Sequence, residues 1–247
     1  MKHTNRNHLR FIFRCFITLG CIYPNLSIAQ VENDYPGFIG VSLGSSIPLG
    51  DFSSKYVDNE TAGWANPGAV FDVSFGYKLG AGKVGLFALL RGQANYVDAQ
   101  SYANALASEV SGVNWTVEGG YWGMGGFLFG GFGSLQVSET VLFEPRVMLG
   151  FLNASNPEIT VSVSGPGGSY WIKQNSTSAR SFAYLVGGGL RFNIGKRMSL
   201  LTNLDYMAAQ PEFINVQLLD SDGNLSSDTW SQEIVTFNVS AGLALRF

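Results

Sequence analysis

The chain has 247 residues, with 15 Lys+Arg against 18 Asp+Glu, 31 glycines, and 46% hydrophobic but only 13% charged residues. That mixture excludes a disordered chain, which needs low hydrophobicity and dense charge, and so much glycine disfavours an all-helical one. The acidic balance argues against a nucleic-acid partner, whose phosphates select a basic surface.

At the N-terminus Lys2, Arg6, Arg10 and Arg14 precede and border a short apolar run, CFITLGCIY, and the small-residue pattern Ser27-Ile28-Ala29 follows. The run is too short to cross a bilayer as a helix, so residues 1–29 read as a secretory signal peptide cut after Ala29. Leu19-Gly20-Cys21 loosely resembles a lipoprotein cleavage site, but Thr18 and Leu19 fit it poorly and a complete site follows at Ala29. Both histidines (His3, His8) and both cysteines (Cys15, Cys21) fall inside this segment. The remainder, residues 30–247, is expected to be one domain without disulfide, thiol nucleophile, imidazole base, cofactor or Cys/His metal site. It is also more acidic, since four cationic residues leave and no carboxylate does.

Beyond the signal, the governing pattern is alternation of apolar and polar residues, which puts successive side chains on opposite faces of a strand. Ile39, Val41 and Leu43 begin it. Ala69, Phe71, Val73, Phe75, Tyr77 and Leu79 form a second strand with Asp72 and Lys78 opposite; after Gly80–Lys83, Val84 to Tyr96 forms a third with Arg91 behind its apolar face. Each of these two strands is long enough to cross a membrane when tilted, which takes about 9–11 residues. Val113, Trp115 and Val117 are expected to start a fourth with Glu118 inward and to continue into the glycine-rich stretch Gly119 to Gly133, where the pattern leaves the path open between a regular and a bulged strand. Val141 to Phe151 carries Glu144 and Arg146 inward and Pro145 outward, where a bulge or bend is expected because proline lacks a ladder donor. Phe182 to Phe192, with Arg191 inward, and Met198 to Tyr206, with Asp205 inward, make a further hairpin. Val235, Phe237, Val239, Ala241, Leu243, Leu245 and Phe247 alternate with Thr236, Asn238, Ser240 and Arg246 in the last strand. The expectation is an all-β, antiparallel up-and-down transmembrane barrel of about eight strands. Short connections follow Leu79, Phe132 and Phe192, whereas long polar ones run 48–67, 97–112, 153–179 and 208–232. Two of the long ones are expected to form hairpins, turning at Gly165–Gly168 and at Asp220–Asn224.

The opening GFIGVSLGSSIPLGDF and the closing VTFNVSAGLALRF carry a resemblance to the outer-membrane β-barrel family that includes small OmpA-, OmpX- and OmpW-type barrels, in the style of porin-family proteins of Bacteroidetes-type bacteria. The resemblance implies residence in the outer membrane of a Gram-negative cell, contact with its lipid and lipopolysaccharide, and insertion by the outer-membrane assembly machinery. It identifies Phe237, Leu243, Leu245 and Phe247 with the insertion signal. It implies architecture, not ligand.

The inward positions gather Asp72, Arg91, Glu118, Glu144, Arg146, Arg191 and Asp205, with Lys78 and Arg246. Such charges either pair across a narrow lumen, filling and stiffening the barrel, or line a path for ions gated by Glu144 or Glu118 with Arg91 or Arg146. Barrel hydrolases and acyltransferases need Ser-His or His-Asp pairs, and the only histidines are in the signal, so a non-enzymatic structural or surface-interaction role is expected, with the long loops meeting any extracellular ligand. The alternative is a small porin or channel for ions or hydrophobic compounds. At Asp220–Asn224 a tight turn is favoured over a calcium loop, which needs a distal glutamate.

Overall fold

The computed structural model describes residues 35–80 and 83–247. The expected export signal, residues 1–29, lies outside them.

In chain order the elements are β1 (Gly37–Leu49), β2 (Gly68–Lys78), β3 (Val84–Tyr96), α1 (Ala99–Glu109), β4 (Asn114–Gly119), β5 (Tyr121–Gly133), β6 (Leu135–Gln136) and β7 (Val141–Ser155). There follow β8 (Ile159–Gly165), β9 (Gly168–Gln174), β10 (Ser178–Asn193), β11 (Met198–Ala209), β12 (Glu212–Asp220), β13 (Leu225–Ser231) and β14 (Ile234–Arg246). Eight of these, β1-β2-β3-β5-β7-β10-β11-β14, pair antiparallel in that order, and β14 returns to β1 to close a barrel. Closure leaves no open wall edge, as a spanning sheet requires where there is no water to satisfy an unpaired backbone group. At the seam Phe247 N donates to Gly37 O and Gly37 N to Phe247 O, both at 3.0 Å.

Alternation in the sequence becomes inside and outside in the wall. On β3 Phe87, Leu89, Arg91, Gln93 and Asn95 are buried inward, while Leu86, Leu90 and Tyr96 stand exposed on the outer face. The outward residues form a band of exposed Phe, Leu, Val and Tyr around the barrel, a surface suited to lipid. Short connections join β2 to β3, β5 to β7 and β10 to β11 at one end, and the long ones project from the other.

Two expectations are corrected and one open alternative is decided. Residues 113–118 do not enter the wall. They contribute β4, which pairs with β8 in a separate five-stranded sheet, order β13-β12-β9-β8-β4, built from the long connections. The glycine-rich β5 crosses alone and unbulged, in continuous register with β3 from Val84↔Gly133 to Tyr96↔Tyr121. Pro145 causes no register shift against β10. It falls in the gap between the last β5 pairing of β7, at Arg146, and the first β6 pairing, at Phe143, where a missing donor interrupts no ladder on that side.

The two loop hairpins form where turn chemistry placed them, β8–β9 around Pro166-Gly167 and β12–β13 around Ser221-Asp222. In the second, Asp220 Oδ1 accepts from the backbone N–H of Asp222 and Asn224, each at 2.9 Å, while Oδ2 accepts from Asn224 Nδ2 and the Tyr170 hydroxyl. Both carboxylate oxygens are therefore engaged by the turn itself, and the Asn224 hydrogen bonds hold this carboxyl below its ordinary range. Unforeseen was α1, inside the loop between β3 and β4; Asp98 caps it by accepting from Ser101 N at 3.1 Å.

Candidate functional site

The interior is built in layers, beginning at the short-turn end. There Phe38 on β1, Phe87 on β3 and Phe132 on β5 meet edge to face with centroids 5.8–6.2 Å apart. Room for two of these rings comes from glycines on the inner wall. A Cβ on Gly76 would lie 2.3 Å from the Phe38 ring and one on Gly85 equally close to Phe132, so neither position accepts a side chain without moving an aromatic. Beside the trio, Glu144 and Arg191 form an ion pair at 2.6 Å, and the Arg191 guanidinium lies 4.5 Å from the Phe38 centroid.

The next layer crosses the barrel. Arg91 on β3 donates through Nε and Nη2 to both oxygens of Asp72 on β2, at 2.7 and 2.8 Å, and through Nη2 to Asp205 Oδ2 on β11 at 2.8 Å. The other oxygen of Asp205 accepts from Arg146 Nε and Nη2 on β7 at 3.0 and 2.7 Å, and Arg146 Nη1 donates to Asn203 Oδ1 at 3.0 Å. The side chains of Asp72, Arg91, Arg146 and Asp205 are at most 4% exposed. With two carboxylates and two guanidiniums the network is formally neutral, and strands on opposite sides of the ring are tied through one carboxylate. The Arg91–Asp72 fork is the strong, bidentate form of the ion pair, because the planar guanidinium matches both carboxylate oxygens. The space left among these side chains, bordered by Ser42, Ser74, Glu144 and Asn203, is about 10 Å³, the room of roughly one water.

Above the charges lie Gln93, Asn95 and Ser46, linked by hydrogen bonds of 3.0 and 3.2 Å to the Asn95 amide oxygen. Above these again the long loops close the mouth. Phe52, fully buried, meets Trp122 edge to face at 5.5 Å, and Trp122 also packs on Phe213 and Trp230, each at 6.0 Å. Trp122 Nε1 donates to Gly63 O at 2.9 Å, and Gln232 Nε2 to Thr61 O at 3.0 Å, fastening the β1–β2 loop over the opening. Trp64 takes a left-handed conformation, φ 52°, unusual for a bulky residue, and is stacked on Tyr102 of α1 at 4.5 Å. Asp98 at the start of α1 receives Lys55 Nζ at 2.5 Å; that ammonium and the Ser101 hydrogen bonds hold its carboxyl below the ordinary range.

Of the residues singled out from sequence, Asp72, Arg91, Arg146 and Asp205 form one network, and Glu144 with Arg191 a separate pair. Neither anticipated gate pairing of Glu144 or Glu118 with Arg91 or Arg146 is found among the ion pairs of the described residues. Glu118 is a correction: it sits exposed on β4 in the outer sheet, because its strand never enters the wall. Arg246 lies at the short-turn end, donating to the carbonyls of Gly195 and Lys196. Phe237, Leu243, Leu245 and Phe247 all face outward; Phe237 is half-buried and the other three are exposed, with Phe247 6.0 Å from the Phe75 ring. The aromatic cap over the mouth was not anticipated. Its signal is present as the aromatics Phe52, Trp64, Phe213 and Trp230 within the long connections.

No protein-family model and no curated protein matches the sequence. Among solved structures, a major outer membrane protein from Thermus thermophilus aligns over 85% of this chain and 99% of its own at 12% identity, with a TM-score of 0.50. The attachment invasion locus protein Ail of Yersinia pestis aligns over the same shares at 16% identity and a TM-score of 0.41. The outer membrane protein AlkL covers 91% of this chain at 14% identity, 95% of its own length and a TM-score of 0.40. The closed eight-stranded antiparallel wall and the alignment with the Thermus protein over nearly its whole length agree: this chain has the fold of the outer-membrane β-barrel proteins.

Proposed function

We propose that the protein is a closed, non-enzymatic barrel of the outer membrane that serves as a rigid scaffold for its extracellular sheet. The observation that carries this reading is the neutral network through Asp72, Arg91, Asp205 and Arg146, which fills the cross-section with charges paired to one another. A conducting lumen needs charges facing water. Here each charged group of the network is hydrogen-bonded to another, and the aromatic cap adds a second seal. The same pairing argues against catalysis, because Asp72, Asp205 and Glu144 are each committed to an arginine and every histidine and cysteine lies in residues 1–29. Surface interaction then falls to β4, β8, β9, β12 and β13, whose outermost strand β13 is exposed along nearly its whole length. The test is conductance of the purified protein in a planar bilayer. Electrical silence is the expected result, and sustained openings would replace the scaffold by an ion pore.

A further inference from the structure

Outside the lumen, the wall has one feature that the scaffold does not use. A hollow of about 670 Å³ opens on the outer face of β2, β3, β5 and β7, within the size range of about 300–1,000 Å³ of small-molecule sites. Its floor is made by Gly92 and Gly125, which are cross-strand partners; a Cβ built on either meets no atom within 4 Å. Its apolar sides are Phe71, Leu90, Phe127 and Phe151, and at its edge stand Asn153 and Arg180, also cross-strand partners. Among the described residues no hydrogen-bond or ion-pair partner is found for the outward Arg180 guanidinium.

The register orients this hollow in the membrane. From Leu43 on β1, the pairing leads through Phe71, Gly92, Gly125 and Asn153 to Arg180 on β10. In the other direction it leads through Ala241 and Thr202 to Leu190 of the same strand. The row is thus a ramp that climbs toward the long-loop end, with Arg180 at its top and the glycine floor below. On β10 the outward apolar residues begin at Phe182, and on β7 they end at Phe151, so Arg180 and Asn153 stand just beyond the apolar band. An outward arginine is tolerated at that interface and disfavoured at the midplane. A guanidinium at headgroup level above an apolar trough matches an amphiphile with a phosphate at one end and an acyl chain at the other.

We propose that this hollow is a binding site for one phosphorylated acyl lipid of the outer leaflet, its phosphate on Arg180 and Asn153 and a chain laid over Gly125 and Gly92. The proposal rests on the outer-membrane reading above. The experiment is native mass spectrometry of the refolded protein titrated with bisphosphorylated lipid A, its dephosphorylated form, and phosphatidylcholine, with inorganic phosphate as competitor. One lipid A per barrel is expected, at least tenfold tighter than the dephosphorylated form, and not displaced by inorganic phosphate. Arg180→Gln and Gly125→Leu should each weaken it about tenfold, whereas Ala241→Leu, outward on β14, should not. Unchanged binding by Arg180→Gln, equal retention of the dephosphorylated lipid or phosphatidylcholine, or displacement by phosphate alone would overturn the site. Should Gly125→Leu fail to fold, Arg180→Gln decides. A barrel that folds and is electrically silent yet retains no lipid A loses this site while leaving the scaffold reading intact.

Discussion

Replacing Asp205 by asparagine is the sharpest probe of the interior. The carboxylate is 1% exposed and receives Arg91 at 2.8 Å and Arg146 at 2.7 Å. At an effective dielectric of about 20, each of these contacts has a gross attraction of about 6 kcal/mol, most of which offsets the cost of desolvating three charges. Asp205→Asn keeps the shape and one acceptor oxygen but removes the charge, leaving two buried guanidiniums to share Asp72. Breaking a buried pair in this way costs about 3–5 kcal/mol. With a urea dependence of about 2 kcal/mol per molar, that is a fall of about 2 M in the unfolding midpoint, followed by tryptophan fluorescence in lipid vesicles. The companion Asp205→Asn/Arg146→Met restores neutrality and should recover most of the loss. A shift under about 0.5 M for the single variant, or no recovery in the double, would show that the network is solvated and does not bind the barrel together.

Three further outcomes follow from the same geometry. Trp122→Ala removes the hub of the mouth cap and is expected to cost about 3–5 kcal/mol, with faster proteolysis of the 50–67 loop; protection equal to the unaltered protein would mean that the cap contributes nothing. Gly242→Ala should impair folding, because its Cβ would lie 1.9 Å from Val41 O, whereas Gly92→Ala should be neutral; a heat-dependent gel shift distinguishes them. The Asp98 carboxyl is held low in the folded state, so its contribution is fully present above the ordinary carboxylate range and is lost as pH falls through the depressed value. Protection of the α1 amides, taken relative to the intrinsic exchange rate at each pH, should therefore fall on acidification, Asp98→Asn should flatten that acid limb, and the partly exposed Lys55 pair itself should be worth less than about 1 kcal/mol.

Alternation alone determined most strands of the wall. The runs at 69–79, 84–96, 182–192 and 235–247 specify strands and which face each residue takes, because a strand's side chains repeat every two residues whatever surrounds it. Turn chemistry likewise located the hairpin tips at 165–168 and 220–224, since those conformations depend on local residues. Glu118 was beyond reach for a reason of the same kind: period two tells one face from the other, but not whether a strand joins the membrane wall or a sheet above it. That choice was made by pairing with β8, a partner distant in sequence. Which arginine meets which carboxylate was also undetermined, because Arg91 and Asp205 are brought together by the register of the whole ring. The aromatic cap and the ramp from Phe71 to Arg180 belong to that tertiary level as well, one assembled from several loops and the other from the stagger that closes a barrel.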